Sequence, residues 1–396
     1  MTPTRRALAT TLALTAALAT APTAQAADTP QHPWYFDTLR VEEMWQHTTG
    51  EGITVAVIDS GVDPTLPELQ GQVLDGTDLT AAQEGAHIDV SGHGTHMASL
   101  IAGTGKDAGI QGLAPGVSIL PVRTLVDSIN FSGDERFSEG ITYAIESGAQ
   151  IINISQSGSV SEEELAEATS LAARHDVLIF AGTGNTGESD NRVAAPASFP
   201  GVIAVGAVDR GSERVPYSSS GPQVSLAAPG NDVPGHCDGL AGSACIVNEG
   251  GTSSATALAS ASAALIWSQH PDWTKNQVLR VMLNTAERPD DQRRDDYTGY
   301  GIVRPDRVIV DGDGDPGDPD SPPIFRDWEA GLVPPATPEP TLETTPDDST
   351  EPAPGLEAEA AATSDDSSPL PWILGGTAAV LFVAVTGWLL LRRRAA

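Results

Sequence analysis

The sequence predicts a single α/β domain in which a predominantly parallel β-sheet is flanked by helices. Three observations predict it. Short apolar, β-branched runs recur through the middle of the chain, and segments with helical periodicity separate several of them. The region that holds them, roughly 27–310, is globular in composition and of single-domain size. Alternation of strand and helix implies parallel strands, covered on both faces, with functional groups at their carboxyl ends.

Taken in order, the first segment reads as a secretory signal. Arg5 and Arg6 supply its positive region, an Ala/Leu/Thr run follows from Ala7, and Ala24-Gln25-Ala26 supplies a small-x-small cleavage site. Residues 1–26 are therefore expected to be removed, with an uncleaved anchor as the alternative. Residues 27–50 are a short N-terminal extension, and the domain proper is expected over 51–310.

Within the domain, the run Ile53–Ile58 reads as a strand buried on both faces, ending at Asp59-Ser60-Gly61. Further strands are expected at Ser118–Val122, Ile151–Ile154, Val177–Ala181 and Val202–Val205. Helices are expected at Glu135–Glu146 and Glu162–Ala173. His93 opens a helix-compatible segment, His93-Gly94-Thr95-His96-Met97. Gly250-Gly251-Thr252-Ser253 leads into an Ala/Ser-rich helix reaching Trp267.

Singly, these residues have ordinary explanations: a serine at a helix start is usually a cap. Together, a hydroxyl, an imidazole and a carboxylate are what acyl transfer needs: a nucleophile, a base for its proton, and a group that fixes the base's tautomer. Asp59, His93 and Ser253 are the candidates.

Cys237 and Cys245 are the chain's two cysteines, eight positions apart. An exported context favours a disulfide between them, whereas a closed zinc site wants four ligands and His236 is the one suitable neighbour. The formal net charge of -32, with no offsetting basic patch, argues against a nucleic-acid partner. Much of that charge lies between Asp311 and Leu370, where sixteen acidic residues and repeated prolines face one basic residue, Arg326. That segment is expected to be a disordered acidic linker.

Ile373–Leu391 is a 19-residue uncharged stretch with Trp372 and Trp388 toward its ends, expected to be a single membrane span within residues 371–391. Arg392, Arg393 and Arg394 follow, which places the tail 392–396 in the cytoplasm and everything before the span outside.

The motifs carry a resemblance. Ala56–Gly61, His93–Met97 and Gly251-Thr252-Ser253 resemble the Asp, His-Gly-Thr-His and Gly-Thr-Ser motifs of the subtilisin-like serine proteases, in that family's chain order. The likeness covers about 51–286. It implies a three-layer subtilisin-like domain, an Asp59-His93-Ser253 triad from which His96 is excluded, and no cofactor or metal in the chemistry. Ala181-Gly182-Thr183-Gly184-Asn185 resembles the oxyanion segment, which implies that Asn185 donates beside the Ser253 amide. Asn153–Gly158 resembles the strand lining the first specificity pocket, which implies substrate contacts through Ser155, Gln156 and Ser157. One departure is plain: after Ser253 the family usually has a proline within a few residues, and here Ala257 and Leu258 follow Thr256.

The layout of signal, short extension, protease domain, acidic linker and one span is similar to that of the mycosins, membrane-anchored proteases associated with type VII secretion. This implies a serine endopeptidase acting on exported protein substrates, with a type VII membrane complex as possible partner. The alternative is a membrane-bound scaffold of such a complex, with proteolysis secondary or absent.

Overall fold

The computed structural model describes residues 28–125, 136–237, 239–240, 243–288 and 293–332 of the 396. The expected signal, the expected span and most of the linker lie outside these residues. Among the described residues no helix is long and apolar enough to cross a membrane.

Two short helices come first, α1 (Trp34–Thr38) and α2 (Val41–Met44). They are part of the domain. Tyr35, Phe36, Leu39, Val41 and Met44 are buried in the same apolar cluster as the domain's central helix, and the Phe36 and Trp45 rings meet edge to face at 5.5 Å. Arg40, in a left-handed conformation between the helices, donates to Asp306 Oδ2 at 3.0 Å and to Asp311 Oδ2 at 2.5 Å. The extension is thus clasped to the far end of the domain. Tyr35 is fully buried and its hydroxyl has no hydrogen-bond partner among the described residues. Tyr35→Ala is expected to cost about 3–5 kcal/mol, while Tyr35→Phe, which removes only the unpaired hydroxyl, should be near neutral or stabilising. Equilibrium urea unfolding of both variants checks this.

The main sheet is built from β1 (Thr54–Asp59), β2 (Thr77–Asp78), β3 (Ser118–Arg123), β4 (Ile151–Ile154), β5 (Leu178–Gly182), β6 (Val202–Val208) and β7 (Val224–Pro229). The strand order is β2-β3-β1-β4-β5-β6-β7, and all neighbours are parallel. The five expected strands are present, with β2 and β7 added at the edges. Connecting helices are α3 (His93–Ala102), α4 (Phe137–Glu146) and α5 (Glu162–Arg174).

Alternation along the strands divides the core in two. Val55 and Val57 of β1 join the cluster that includes α3, while Ala56 and Ile58 point to the opposite cluster beneath α4 and α5. From β1 the chain runs out to the edge strand β2 and returns through α3 to β3, then passes β1 to reach β4 through α4. α3 packs in the first of these clusters and α4 in the second, so the two helices cover opposite faces of the sheet. The carboxyl end of β1 is therefore a switch point of strand order, where α/β sheets open a crevice. Asp59 is the last residue of β1.

An antiparallel hairpin follows, β8 (Asn231–His236) and β9 (Ala244–Glu249), with Cys237 and Cys245 joined as a disulfide beside it. The long helix α6 (Gly251–Gln269) then runs through the core, nearly every residue buried, and α7 (Lys275–Thr285) and α8 (Pro305–Ile309) complete that layer. The absent proline after Ser253 fits a helix that continues unbroken to Gln269.

The linker differs from expectation over its first part. Residues 311–332 follow the domain surface and include the short helix α9 (Arg326–Glu329). The Pro319 carbonyl accepts from Thr274 Oγ1 and Asn276 Nδ2, the Asp318 carbonyl accepts from Arg280 Nη1, and Lys275 pairs with Glu329 at 2.9 Å. Ile324 and Phe325 pack on the core, and the Trp328 ring lies against Gly201, where even a Cβ would sit 2.5 Å from it. Arginine-bound carbonyls and a few aromatic anchors hold this acidic, Pro-rich strap in place.

Candidate active site

The site forms where three segments meet at the carboxyl edge of the sheet. Asp59 ends β1, His93 opens α3, and Ser253 lies in the first turn of α6. Two glycines permit the approach. A Cβ on Gly94 would lie 2.2 Å from the Gly61 carbonyl oxygen and 3.0 Å from Asp59 Cβ, so only glycine lets α3 start against the end of β1. Gly251 has φ +78°, and a Cβ there would reach 2.9 Å from Asn185 Nδ2.

Asp59 is fully buried and heavily hydrogen-bonded. His93 Nδ1 lies 2.8 Å from Oδ1 and 2.9 Å from Oδ2; Oδ1 also accepts from the Ser60 amide at 2.8 Å and from Gln156 Nε2 at 2.9 Å. A carboxylate here can only accept, so His93 Nδ1 carries a proton, and the neutral ring keeps Nε2 as its free base. Burial works to lower the His93 pKa, but the Asp59 carboxylate, helped by Asp89, outweighs it and holds the ring above its ordinary 6.5.

His96 stands apart. Its Nε2 lies 2.7 Å from the Pro234 carbonyl of β8, and burial pushes its pKa down to about 4. It stays neutral near pH 7, engaged away from Asp59. Its neighbour His236 pairs with buried Glu68 at 3.0 Å.

Ser253 does not act as a helix cap. Its Oγ donates across the cleft to the Ser155 carbonyl at 3.0 Å, and Ser155 Oγ donates back to the Ser253 carbonyl at 2.9 Å. Ser155 Oγ is in turn held by Asn153 Nδ2 at 3.0 Å, and Asn153 Oδ1 by Ser260 Oγ at 3.1 Å. This chain fastens the end of β4 to α6. Ser253 and His93 share one cleft of about 270 Å³, lined also by Leu125, Ser155, Gln156, Ser157, Gly182, Gly184 and Asn185.

Asn185 follows β5. Its Oδ1 accepts from the Thr252 amide at 2.9 Å and from Thr252 Oγ1 at 3.1 Å, which leaves the Nδ2 amide protons for the cleft. The Ser253 amide lies in the first turn of a helix, where backbone N–H groups lack intrahelical acceptors and the dipole favours negative charge. Of the residues expected to contact substrate, Ser155 and Gln156 line the cleft but turn their side-chain donors into the protein.

One supporting residue escaped the sequence reading. Asp89 Oδ1 accepts from the Ser60 hydroxyl and the Gly92 amide, both at 2.8 Å, and Oδ2 accepts from the Thr95 amide at 2.8 Å and its hydroxyl at 2.6 Å. It fastens the start of α3 to the turn after Asp59. The signal was present as an aspartate just ahead of a helix start, the ordinary capping pattern.

The family model described as "Subtilase family" matches residues 50–301, more than half of the chain. This chain belongs to the subtilase family. Among its curated relatives, this subtilase is 35% identical over 243 residues to Subtilisin E of Bacillus subtilis (strain 168), which covers 61% of this chain and 62% of that protein. The match thus spans less than two thirds of that relative's length. Among solved structures, the subtilase resembles MycP1 from Mycobacterium smegmatis with a TM-score of 0.63 at 27% identity, covering 76% of this chain and 89% of that one. It resembles the MycP3 protease from the type VII (ESX-3) secretion system with a TM-score of 0.61 at 28% identity, covering 73% and 90%. The mycosin likeness therefore extends from layout to fold.

Proposed function

We propose that this subtilase is a serine endopeptidase that cleaves exported protein segments through an acyl-enzyme, with Asp59, His93 and Ser253 as its triad. The observation that carries this is the Asp59–His93 pair, whose buried carboxylate and Nδ1 proton leave Nε2 available in the cleft that Ser253 lines. The reaction requires the Ser253 hydroxyl to turn about Cα–Cβ from the Ser155 carbonyl toward Nε2 across the shared cleft.

His93 Nε2 takes the Ser253 Oγ proton as Oγ bonds to the scissile carbonyl carbon. The carbonyl oxygen gains the negative charge and is met by Asn185 Nδ2 and the Ser253 amide. The imidazolium, held by Asp59, then gives its proton to the leaving amine, and the peptide C–N bond breaks. Water, deprotonated by the same nitrogen, attacks the ester; Oγ recovers the proton and the acid product leaves. The segment Ser155–Ser157, continuing β4 along the cleft, offers an extended backbone for a peptide to pair with. This favours a peptide over a small ester.

The signal-like start and the apolar stretch ending in three arginines support a single-pass protein of the cell membrane, with this domain outside and the tail in the cytoplasm. Likeness to MycP1 and MycP3 supports work alongside a type VII secretion complex. Treating the detergent-solubilised full chain with a fluorophosphonate and mapping the adduct tests the chemistry. Labelling is expected on Ser253 and should vanish in folded His93→Ala protein. An adduct on a different serine sinks the assignment, and a Ser253→Ala chain that still supports secretion would assign the essential role to scaffolding.

A further inference from the structure

Gln156 is the residue whose environment the family chemistry leaves unexplained. The register that sets Val57 of β1 opposite Asn153 of β4 carries the continuation of β4 past Asp59. There the Gln156 side chain turns inward, 8% exposed, with Nε2 at 2.9 Å from Asp59 Oδ1. The orientation of the amide is fixed by chemistry, since the buried carboxylate only accepts. Its other end, Oε1, is buried with no donor among the described residues. A group that merely filled this space would be better as an apolar side chain, because a buried acceptor without a partner is costly. What the amide supplies, and an apolar chain would not, is a fixed donor to Asp59.

We propose that Gln156 is a positioning residue for the Asp59–His93 pair, its amide anchoring the same carboxylate oxygen that His93 Nδ1 meets and tempering the hold of Asp59 on His93. The inference rests on the peptidase reading above and deepens it. Asp59 Oδ1 collects the Ser60 amide, Gln156 Nε2 and His93 Nδ1. The first two are set by the protein whichever state the imidazole is in. Donors to a carboxylate stabilise its charge and weaken its pull on a neighbouring cation. Removing the Gln156 donor therefore strengthens the pull of Asp59 on the imidazolium, and a carboxylate in its place adds a second pull. The other ionisable groups near His93 are Asp89 before α3 and His96 one turn along α3, with His236 of β8 and its partner Glu68 beyond. None of these is altered by a change at Gln156.

The test compares full-length wild type with Gln156→Met, close in size and apolar, and with Gln156→Glu. The acid limb of kcat/KM on a short peptide should move to higher pH by about half a unit to one unit in Gln156→Met, and further in Gln156→Glu. At pH 6 this is a loss of roughly three- to tenfold for Gln156→Met, with plateau KM changed by less than about twofold. Either variant alone decides. An acid limb that stays in place while KM rises would make Gln156 an ordinary cleft-lining residue and overturn the proposal. The same order should appear in an NMR titration of the His93 ring, using histidine-labelled chain that also carries Ser253→Ala. If wild type cleaves no peptide but the titration keeps this order, the peptidase reading fails and the Gln156 coupling stands; an unchanged titration overturns the coupling itself.

Discussion

His93→Ala should reduce kcat by roughly a million-fold, about 8 kcal/mol of transition-state stabilisation, while leaving the domain folded. Ser253→Ala should cost about as much, and the double variant little more, because nucleophile and base act as one unit. The residual rate would come from the oxyanion donors and the peptide-binding edge. Stopped assays on one peptide, with circular dichroism to confirm folding, check the three proteins. A loss of only tenfold would remove His93 from the chemistry. In wild type the rate should fall as pH drops through the His93 pKa, which Asp59 raises above 6.5. The stability term runs the other way. A raised histidine pKa contributes stability that is fully present below the unfolded value and is lost as pH rises through the folded one. The enzyme gains its base over the pH range in which it loses that support.

Asn185→Ala should lower kcat by about 10²–10³-fold, or roughly 3–4 kcal/mol, with KM nearly unchanged, because the donor meets charge that exists only in the transition state. Alanine also strips the Thr252 amide of its acceptor at 2.9 Å, so a second variant separates the two effects. Asn185→Asp retains an acceptor for Thr252 and replaces the Nδ2 donor with negative charge. It should keep more stability than the alanine variant and lose more activity. Parallel rate and urea measurements read both. An aspartate variant as active as wild type would remove Asn185 from the oxyanion site.

Much of the fold was legible because buried parallel strands leave a plain mark. Ile151–Ile154 could be read to the residue since all four side chains are buried, and the helix expected over Glu162–Ala173 runs one residue further, to Arg174, its apolar positions and acidic first turn agreeing. The edges were less visible. β2 has two residues, and β7, Val-Ser-Leu-Ala-Ala-Pro, is too small-chained to stand out from a loop. The hairpin of β8 and β9 contains proline, glycine and charge, and pairing holds it together more than apolar burial does.

At the site, Asp59, His93, Asn185 and Ser253 were found through motifs, and their convergence follows from the strand order. The inward hydrogen bond of Gln156 was hidden, because which way a side chain turns beyond a strand's last residue is settled by tertiary contacts. Charge dominated the reading of 311–332 and concealed Ile324, Phe325 and Trp328, three apolar anchors among many acidic residues. The extension was judged by its length, whereas Trp34, Tyr35, Phe36, Leu39, Val41 and Met44 have the density of a core segment.

The clasp between Arg40 and the residues at 306 and 311 joins positions 266 and 271 apart in sequence. A chain made from its amino end produces one half of this contact long before the other. Tyr35 and Met44 are buried in one cluster with residues of α6 and α8, and the Asp306 carboxylate is fully buried between Arg40 and Arg304. Contacts of such long sequence range delay completion of the native state, since loop closure must precede its reward. The nucleophile at Ser253 also arrives late, after the aspartate and histidine. Chain order thus sets the sequence of assembly: a product ending before residue 306 lacks both acceptors of the Arg40 clasp.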